Sequence, residues 1–527
     1  MAYQGSVAEL PLGWDGLTGT HNVSQATPTQ LLKANNITYE NGTLQKEGGS
    51  ILYTPTPLTA APVILGGYDF WPTSSVQRSV IVTSAGNIQK DTGGGSYSTT
   101  LKSGLVAPSR VVSFTTGGAE AGGNTKKLFI CTGSNQCQVL NGDGATTANI
   151  ATPPSDWATS FPTAMFLHDN HMWGFGGADK HRLYYSTATN HEDYSSAGSG
   201  TLAVYPGDGD EISGAISFKG HIIVFKTPFG IYDVDTTDPT VANWTVTRVS
   251  KNIGAGGSGL ISNTDDDVLF IDKTGAVHTL SAVREYGDFG FQSVSDMAVM
   301  NPFIRDNINL NRLMFGQSIF YTAKREAHFA LSALGSSNNN RRLVVDFNAI
   351  PKQRFRFSDK DACESIWLRR DAIDIPRPVM GDNIGQVWLG DDASKAKNGA
   401  GYEARWKSPH HDLAWLNPNL AAEKKNFDFL EFVVEPLGNW TMNVDIYIDG
   451  KFSQTVQYQT GINGATLGSF ILDTSSLGND QVLSKKHRII GSGRRISLEG
   501  YNANPGEDYS IAKALLEYRV SQEDTNP

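Results

Sequence analysis

Histidines, carboxylates and a glycine-flanked serine are the residues of this chain whose types and spacing could support chemistry. His168, His171 and His181 fall beside Asp169 and Asp179, a set that could hold a transition metal if folding brought four ligands into tetrahedral geometry. Their aromatic neighbours Phe166, Trp173 and Phe175 argue instead for a packing role. Gly207-Asp208-Gly209-Asp210-Glu211 and Asp265-Asp266-Asp267 gather the oxygen ligands that calcium prefers, but neither has the spacing of an EF-hand loop. Gly254-Ala255-Gly256-Gly257-Ser258-Gly259 sets a serine among glycines. It is not a nucleophile elbow, because no glycine follows two residues after Ser258 and no strand-to-helix turn is readable there. No glycine cluster leads into the Gly-Lys-Ser/Thr of a phosphate loop. A carboxylate pair for glycoside hydrolysis is defined by separation in space, and the sequence selects no particular pair. The expectation is a protein with no catalytic residue, no cofactor and no obligatory metal.

The elements that must position these residues repeat. Val80-Ile81-Val82-Thr83 turns at Ala85-Gly86 into Asn87 to Lys90, and Leu128-Phe129-Ile130-Cys131 turns at Gly133 into Cys137 to Leu140. Ile222-Ile223-Val224-Phe225 turns at Pro228 and Gly230 into Ile231 to Val234, and Val268 to Ile271 turns at Gly275 into Ala276 to Leu280. Looser copies occur at His171 to Tyr185, Ile319 to Phe347 and Pro378 to Leu389. The period of roughly 45–50 residues is that of four-stranded propeller blades. A lone hairpin cannot bury both faces, whereas blades stacked about an axis can. The fold expected is all-β: a propeller of six to eight blades, seven being the favoured count.

Fifty-five glycines against 18% charged residues fit many tight turns and few long helices. Short helices are expected only at Pro28 to Ala34 and Asp306 to Phe315. Three cysteines in 527 residues exclude a disulfide scaffold, and Cys131 and Cys137 are expected as free thiols. The sequence shows no signal peptide and no apolar run near the ~20 residues of a membrane helix, so a soluble protein made in a cytoplasm is expected. The net charge of −10 is uneven: residues 201–300 hold 13 acidic and 6 basic side chains, residues 301–400 hold 15 basic and 11 acidic.

Three parts are expected. Residues 1–61 do not repeat and read as an N-terminal arm that closes the ring or packs on a partner, with Trp14, Leu17, Leu31 and Leu32 as assembly contacts. Residues 62–390 form the propeller. Residues 391–527 are a polar linker and an antiparallel, β-sandwich-like domain. Within it, alternation over 440–448 puts Trp440, Met442, Val444, Ile446 and Ile448 on one face.

The chain also resembles the tail nozzle, or packaged-DNA stabilisation protein, of short-tailed (podovirus-type) bacteriophages. Three stretches carry this: His181-Arg182-Leu183-Tyr184-Tyr185-Ser186 with Asn190 to Tyr194; Gly207 to Gly214 followed by Phe218 to Lys226, Ile231-Tyr232 and Gly254 to Ile261; and Gly493 to Gly500 with Leu515 to Tyr518. The resemblance implies a structural virion protein in the phage tail, assembled in the host cytoplasm. It would form a homohexameric ring below the portal and adaptor, bear a tail fibre, spike or needle protein, and retain double-stranded DNA and pass it at ejection without reading its sequence. It implies no membrane insertion by the chain itself. An acidic lumen lining from Asp208, Asp210, Glu211, Asp265, Asp266 and Asp267 would let DNA slide, because basic linings retain DNA through counterion release. Arg341, Arg342, Arg354, Arg356, Arg369 and Arg370 are the residues that could grip it. Two alternatives stand beside this: a tail-tip carbohydrate-binding propeller, with Trp71, Trp157 and Trp406 as stacking candidates, and a glycan-cleaving propeller enzyme.

Overall fold

The computed structural model describes residues 6–20, 25–108, 111–118, 126–264, 266–286, 293–297, 299–348, 353–461 and 483–521. Blade one consists of Ile64–Thr73, Val76–Thr83, Ile88–Lys90 and Thr99–Lys102. Blades two, three and four follow the same antiparallel order over 113–149, 162–203 and 211–250. The fifth sheet has three strands, Ile261–Asn263, Val268–Ile271 and Val277–Thr279, and runs into the short helix Leu280–Tyr286. Blade six spans 317–358, and blade seven is built from Ser365–Arg370, Pro376–Gly381 and Val387–Asp392. Its fourth strand, Gly49–Leu52, comes from the N-terminal segment and closes the ring. Six blades are thus four-stranded and one is three-stranded, within the range expected from the hairpin period.

The burial pattern explains the ring. The second strands of the blades are largely buried on both sides, and some, such as Leu128 to Cys131 and Ile222 to Phe225, are wholly apolar and fully buried. Each blade therefore needs a neighbour on either side. Blades three and four share Trp173, Phe175, Ile222, Val224 and Val234, and blades seven and one share Trp367, Val379, Val387, Ile64 and Ile81. Near the axis, Gln317 Nε2 donates to the Leu65 carbonyl at 2.7 Å and Ser365 Oγ to that of Ile64 at 2.8 Å. At the Ala85-Gly86 turn, Gly86 adopts φ +74°, and a Cβ there would lie 2.1 Å from the Leu105 carbonyl oxygen.

The C-terminal domain is a two-sheet sandwich, but it is not built from C-terminal residues alone. One sheet orders Ile37–Glu40, Thr43–Lys46, Ser510–Val520, Lys425–Val434 and Leu483–Arg488, with Ser6–Leu10 paired along Ser510–Val520. The other orders Lys33–Asn35, Ala404–Lys407, Ile496–Asn502, Thr441–Ile448 and Lys451–Gln459. It is continuous with blade six through the parallel pairing of Asn35 with Phe357. Met442, Val444 and Ile446 are fully buried, as the alternation requires, while Trp440 and Ile448 at the ends are half-buried. Gly500 is needed at the centre, because a Cβ there would meet the Trp406 indole at 2.3 Å.

The N-terminal segment corrects one expectation. No helix forms over Pro28 to Ala34; Lys33–Asn35 is a strand paired with Arg405 to Lys407. Leu17 and Leu31 are fully buried in the sandwich core, and Trp14 packs against the same core. Leu32 is half-buried, and its amide donates to the Lys407 carbonyl at 2.8 Å. These apolar residues are consumed within their own chain. The segment completes two sheets and one blade, and the ring-closing strand is Gly49–Leu52.

Candidate functional site

The acidic and glycine-rich stretch at 207–211 connects blade three to blade four. Its carboxylate does not stand free. Lys226, whose side chain is fully buried, donates to Asp208 Oδ2 at 2.6 Å, and Tyr232 Oη donates to the same oxygen at 3.0 Å. The backbone N–H of Asp210 donates to Asp208 Oδ1 at 3.1 Å, and His181 Nδ1 lies 3.5 Å from it. Burial alone would raise the Asp208 carboxyl, but the Lys226 ammonium and these hydrogen bonds outweigh it and hold it below the ordinary carboxylate range. The Tyr205 ring stacks near Tyr232, and Arg248 lies 4.7 Å from the Tyr205 ring centre. The arrangement is an ion-pair lock between a connector and a blade.

The other acidic turn occupies a different place. Asp266 and Asp267 lie between the first and second strands of the fifth sheet, while Asp265 falls outside the described residues. Asp267 accepts from the backbone N–H groups of Val268 at 2.8 Å and Ser281 at 3.0 Å and from the Ser281 hydroxyl. The Asp266 carbonyl accepts from Lys219 Nζ at 2.8 Å, across from the corresponding turn of blade four. Successive strands in a blade run antiparallel, so blade-to-blade connectors and first-to-second-strand turns emerge on opposite faces. Asp208, Asp210 and Glu211 therefore belong to one face of the propeller, and Asp266 and Asp267 to the other.

The arginines read as DNA contacts are largely internal. Arg342 and Arg356 are 3% exposed. Arg342 donates to Glu47 Oε1 at 2.5 Å and to Ser358 Oγ at 2.8 Å, and Arg356 to Glu326 Oε2 at 2.8 Å. His328 bonds the same Glu326 oxygen at 2.9 Å, and Lys360 lies 3.4 Å from Glu47 and 3.3 Å from Asp361. Burial would raise the Glu47 and Glu326 carboxyls; the surrounding cations outweigh it and hold both well below the usual range. Arg354 pairs with Asp346 at 2.7 Å, and Arg341 and Arg369 lie over the rings of Phe357 and Tyr53. Arg370, paired with Asp374, is the exposed member. The network ties the N-terminal segment to blade six.

The remaining candidates separate. His168 bonds Ser217 Oγ at 2.7 Å and Thr236 Oγ1 at 2.8 Å, His171 bonds the Ser186 carbonyl, and His181 faces Asp208. Among the described residues, no group of three or more His, Cys, Asp or Glu is arranged to hold a metal ion. Cys131 and Cys137 are buried free thiols, and burial pushes the Cys131 thiol well up. Trp157 and Trp406 are fully buried and offer no sugar platform, and Trp71 is half-buried with Nε1 donating to Asp69 at 3.0 Å. A cavity of about 150 Å³ near the axis is lined by Leu65, Val111, Arg312, Gln317 and Glu364. Glu364 is the one carboxylate in its wall; burial raises it, and the Asn339 N–H donates to it at 2.7 Å.

One feature escaped sequence reasoning. A cavity of about 590 Å³ opens on the sandwich, lined by His410, Lys424, Asp449, Arg494 and Arg495 among others. The Asp449-Gly450 turn and the Arg494-Arg495 pair were visible as sequence, but their proximity depends on strand pairing between distant segments.

No protein-family profile matches the sequence, and no curated protein matches it. Solved structures do. BamB from Moraxella catarrhalis is 13% identical, with a TM-score of 0.37 over 68% of this chain and 96% of its own. YCF48 bound to D1 peptide is 10% identical, with a TM-score of 0.39 over 66% of this chain and 95% of its own. The Cps50 (Swd1) beta-propeller domain from Myceliophteria thermophila is 10% identical, with a TM-score of 0.38 over 64% of this chain and 98% of its own. At such identities the likeness concerns fold alone, and the fold of this chain is a β-propeller.

Proposed function

We propose that this chain is a structural ring protein of a bacteriophage tail, a nozzle that continues the DNA channel below the portal and adaptor. The observation that supports this reading is the three-part sequence resemblance, together with where its stretches fall. Gly207 to Lys226 forms the connector and first hairpin of blade four, locked by Asp208 and Lys226. Gly493 to Gly500 leads into the strand Ile496–Asn502, which pairs with both Ala404–Lys407 and Thr441–Ile448. The conspicuous sequence features thus serve rigidity: an ion-pair lock and a central strand, as a load-carrying tube requires.

Negative-stain microscopy of the purified protein, joined with mass spectrometry of intact virions, tests the proposal. Six-fold rings and co-purification with portal, adaptor and tail-fibre or spike proteins are expected. A monomer or trimer that is stabilised by glycans, or that turns over host polysaccharide, would replace the nozzle with the adhesin or enzyme reading.

A further inference from the structure

The cavity on the sandwich has a construction that the ring proposal does not use. Lys424, Arg494 and Arg495 line it, all three are exposed, and none has a carboxylate partner among the described residues. Beneath them Lys425 is fully buried, and its ammonium donates to the carbonyls of Leu420 at 2.6 Å, Arg494 at 2.7 Å and Glu423 at 3.0 Å. These bonds tie the 420–424 segment to the arginine turn and add a fourth positive charge under the floor. The carboxylate in the wall, Asp449, is already engaged. Its Oδ1 accepts from the backbone N–H groups of Arg494 and Arg495, each at 2.9 Å, and its Oδ2 lies 3.2 Å from the Arg494 nitrogen.

Gly493 permits that approach, since a Cβ there would fall 2.6 Å from Asp449 Oδ2 and 2.5 Å from Ile448 Cγ2. The backbone of the arginine turn is therefore fixed while both guanidinium groups stay available. His410 completes the wall; its buried Nδ1 has no hydrogen-bond partner among the described residues. Asp412, Glu423 and Asp449 offset part of the charge on Lys425, but the lining itself keeps three cations against one carboxylate.

From this geometry we infer that the cavity is an oxyanion site for a phosphate group, held by Arg494, Arg495 and Lys424 with His410 beside them. Planar guanidinium groups bond phosphate oxygens in pairs, and a flexible ammonium adds a point charge. The phosphate belongs either to a small phosphorylated molecule or to a nucleic-acid backbone. The inference is independent of the nozzle reading, because the site lies within one chain and needs no ring.

Titration calorimetry on the full-length protein tests it with two probes, inorganic phosphate and a twelve-base-pair DNA duplex. Phosphate is expected to bind with one site per chain, and R494A/R495A to weaken it by at least about tenfold, about 1.4 kcal/mol. K424A should weaken it less, and K451A, outside the lining, should leave it unchanged. If the duplex binds and loses affinity in the same variants, the source is a phosphodiester; phosphate binding alone assigns a small ligand. Phosphate failing to bind, or binding equally to R494A/R495A, would overturn the inference. Duplex binding that ignores these substitutions, with phosphate binding still dependent on them, likewise assigns a small ligand. All substituted side chains are exposed, and unchanged circular dichroism verifies that each variant is folded.

Discussion

The ammonium nitrogen of Lys226 sits 2.6 Å from Asp208 Oδ2, with its side chain wholly out of solvent. One residue belongs to the connector leaving blade three and the other to the second strand of blade four. The pair ties the connector to the fourth blade.

Removing its acidic half is expected to cost about 2 kcal/mol, the scale of a hydrogen bond to a charged group. Asp208→Ala should lower the urea midpoint accordingly, and Asp208→Ala with Lys226→Met should recover part of the loss because no buried ammonium remains unpaired. The Asp208 carboxyl is lowered on folding. Its contribution is therefore complete above the ordinary carboxylate pKa and disappears as pH falls through the depressed value. Denaturation at pH 7 and pH 3 gives the sign.

The buried set around Glu326 behaves differently. Arg356→Ala leaves the buried Glu326 carboxylate without its guanidinium partner, and a loss of about 4 kcal/mol is expected. Replacing both members, as in Glu326→Leu with Arg356→Met, should cost much less. Equilibrium unfolding of Glu326→Leu, Arg356→Met and their combination provides the comparison, and additive losses would show that the two residues do not act as a pair.

His411 supplies a pH dependence of its own. Burial lowers its pKa to about 4 from 6.5, with Asp412 opposing and His410 adding to the shift, and neither ring nitrogen finds a hydrogen bond among the described residues. The folded state binds its proton less readily than the unfolded state. Stability should therefore fall as pH drops from about 6.5 towards about 4, by up to about 3 kcal/mol over that window. His411→Leu should flatten this slope while leaving the pH 8 value nearly unchanged. Urea midpoints taken at half-unit steps test both statements.

The N-terminal segment is expected to behave as core. Leu31→Ala should destabilise by about 3 kcal/mol through the cavity it leaves. Deleting residues 6–35 should abolish the cooperative unfolding transition of the sandwich, seen by near-ultraviolet circular dichroism. A soluble truncated chain with an intact transition would restore this segment as a detachable arm.

The second strands of the blades were legible because they are buried on both sides, so that runs such as Ile222 to Phe225 stand out from the background. The outermost strands were not. Ala148–Asn149 and Gly200–Ala203 are short and largely exposed, and their pairing is dictated by the strand inside them. Lys33–Asn35 carries no β signal in its own residues, and its extended form follows from partners at 405–407 and 357. Charge was the least legible property. Arg342 and Arg356 read as a surface-basic quarter, yet their partners Glu47 and Glu326 take them inward. The phosphate-type pocket draws on residues 410, 424, 449 and 494–495, which no local pattern joins.

Ser6–Leu10 pairs along its whole length with Ala514 to Tyr518, and this dictates a timetable. During synthesis the strand Ser6–Leu10 waits for a partner made about 500 residues later. At about 5–20 residues per second the interval is roughly 25–100 s. Blades one to four can pair as they emerge, but Gly49–Leu52 stays without its partner until residues 388–392 are made. Until the C-terminal strands follow, Leu10, Leu12, Leu17 and Leu31 lack the sandwich residues from Ala404 to Tyr518 that complete their core. Ring closure and sandwich assembly are thus late events, and the unclosed chain is the form most exposed to aggregation and most in need of a chaperone.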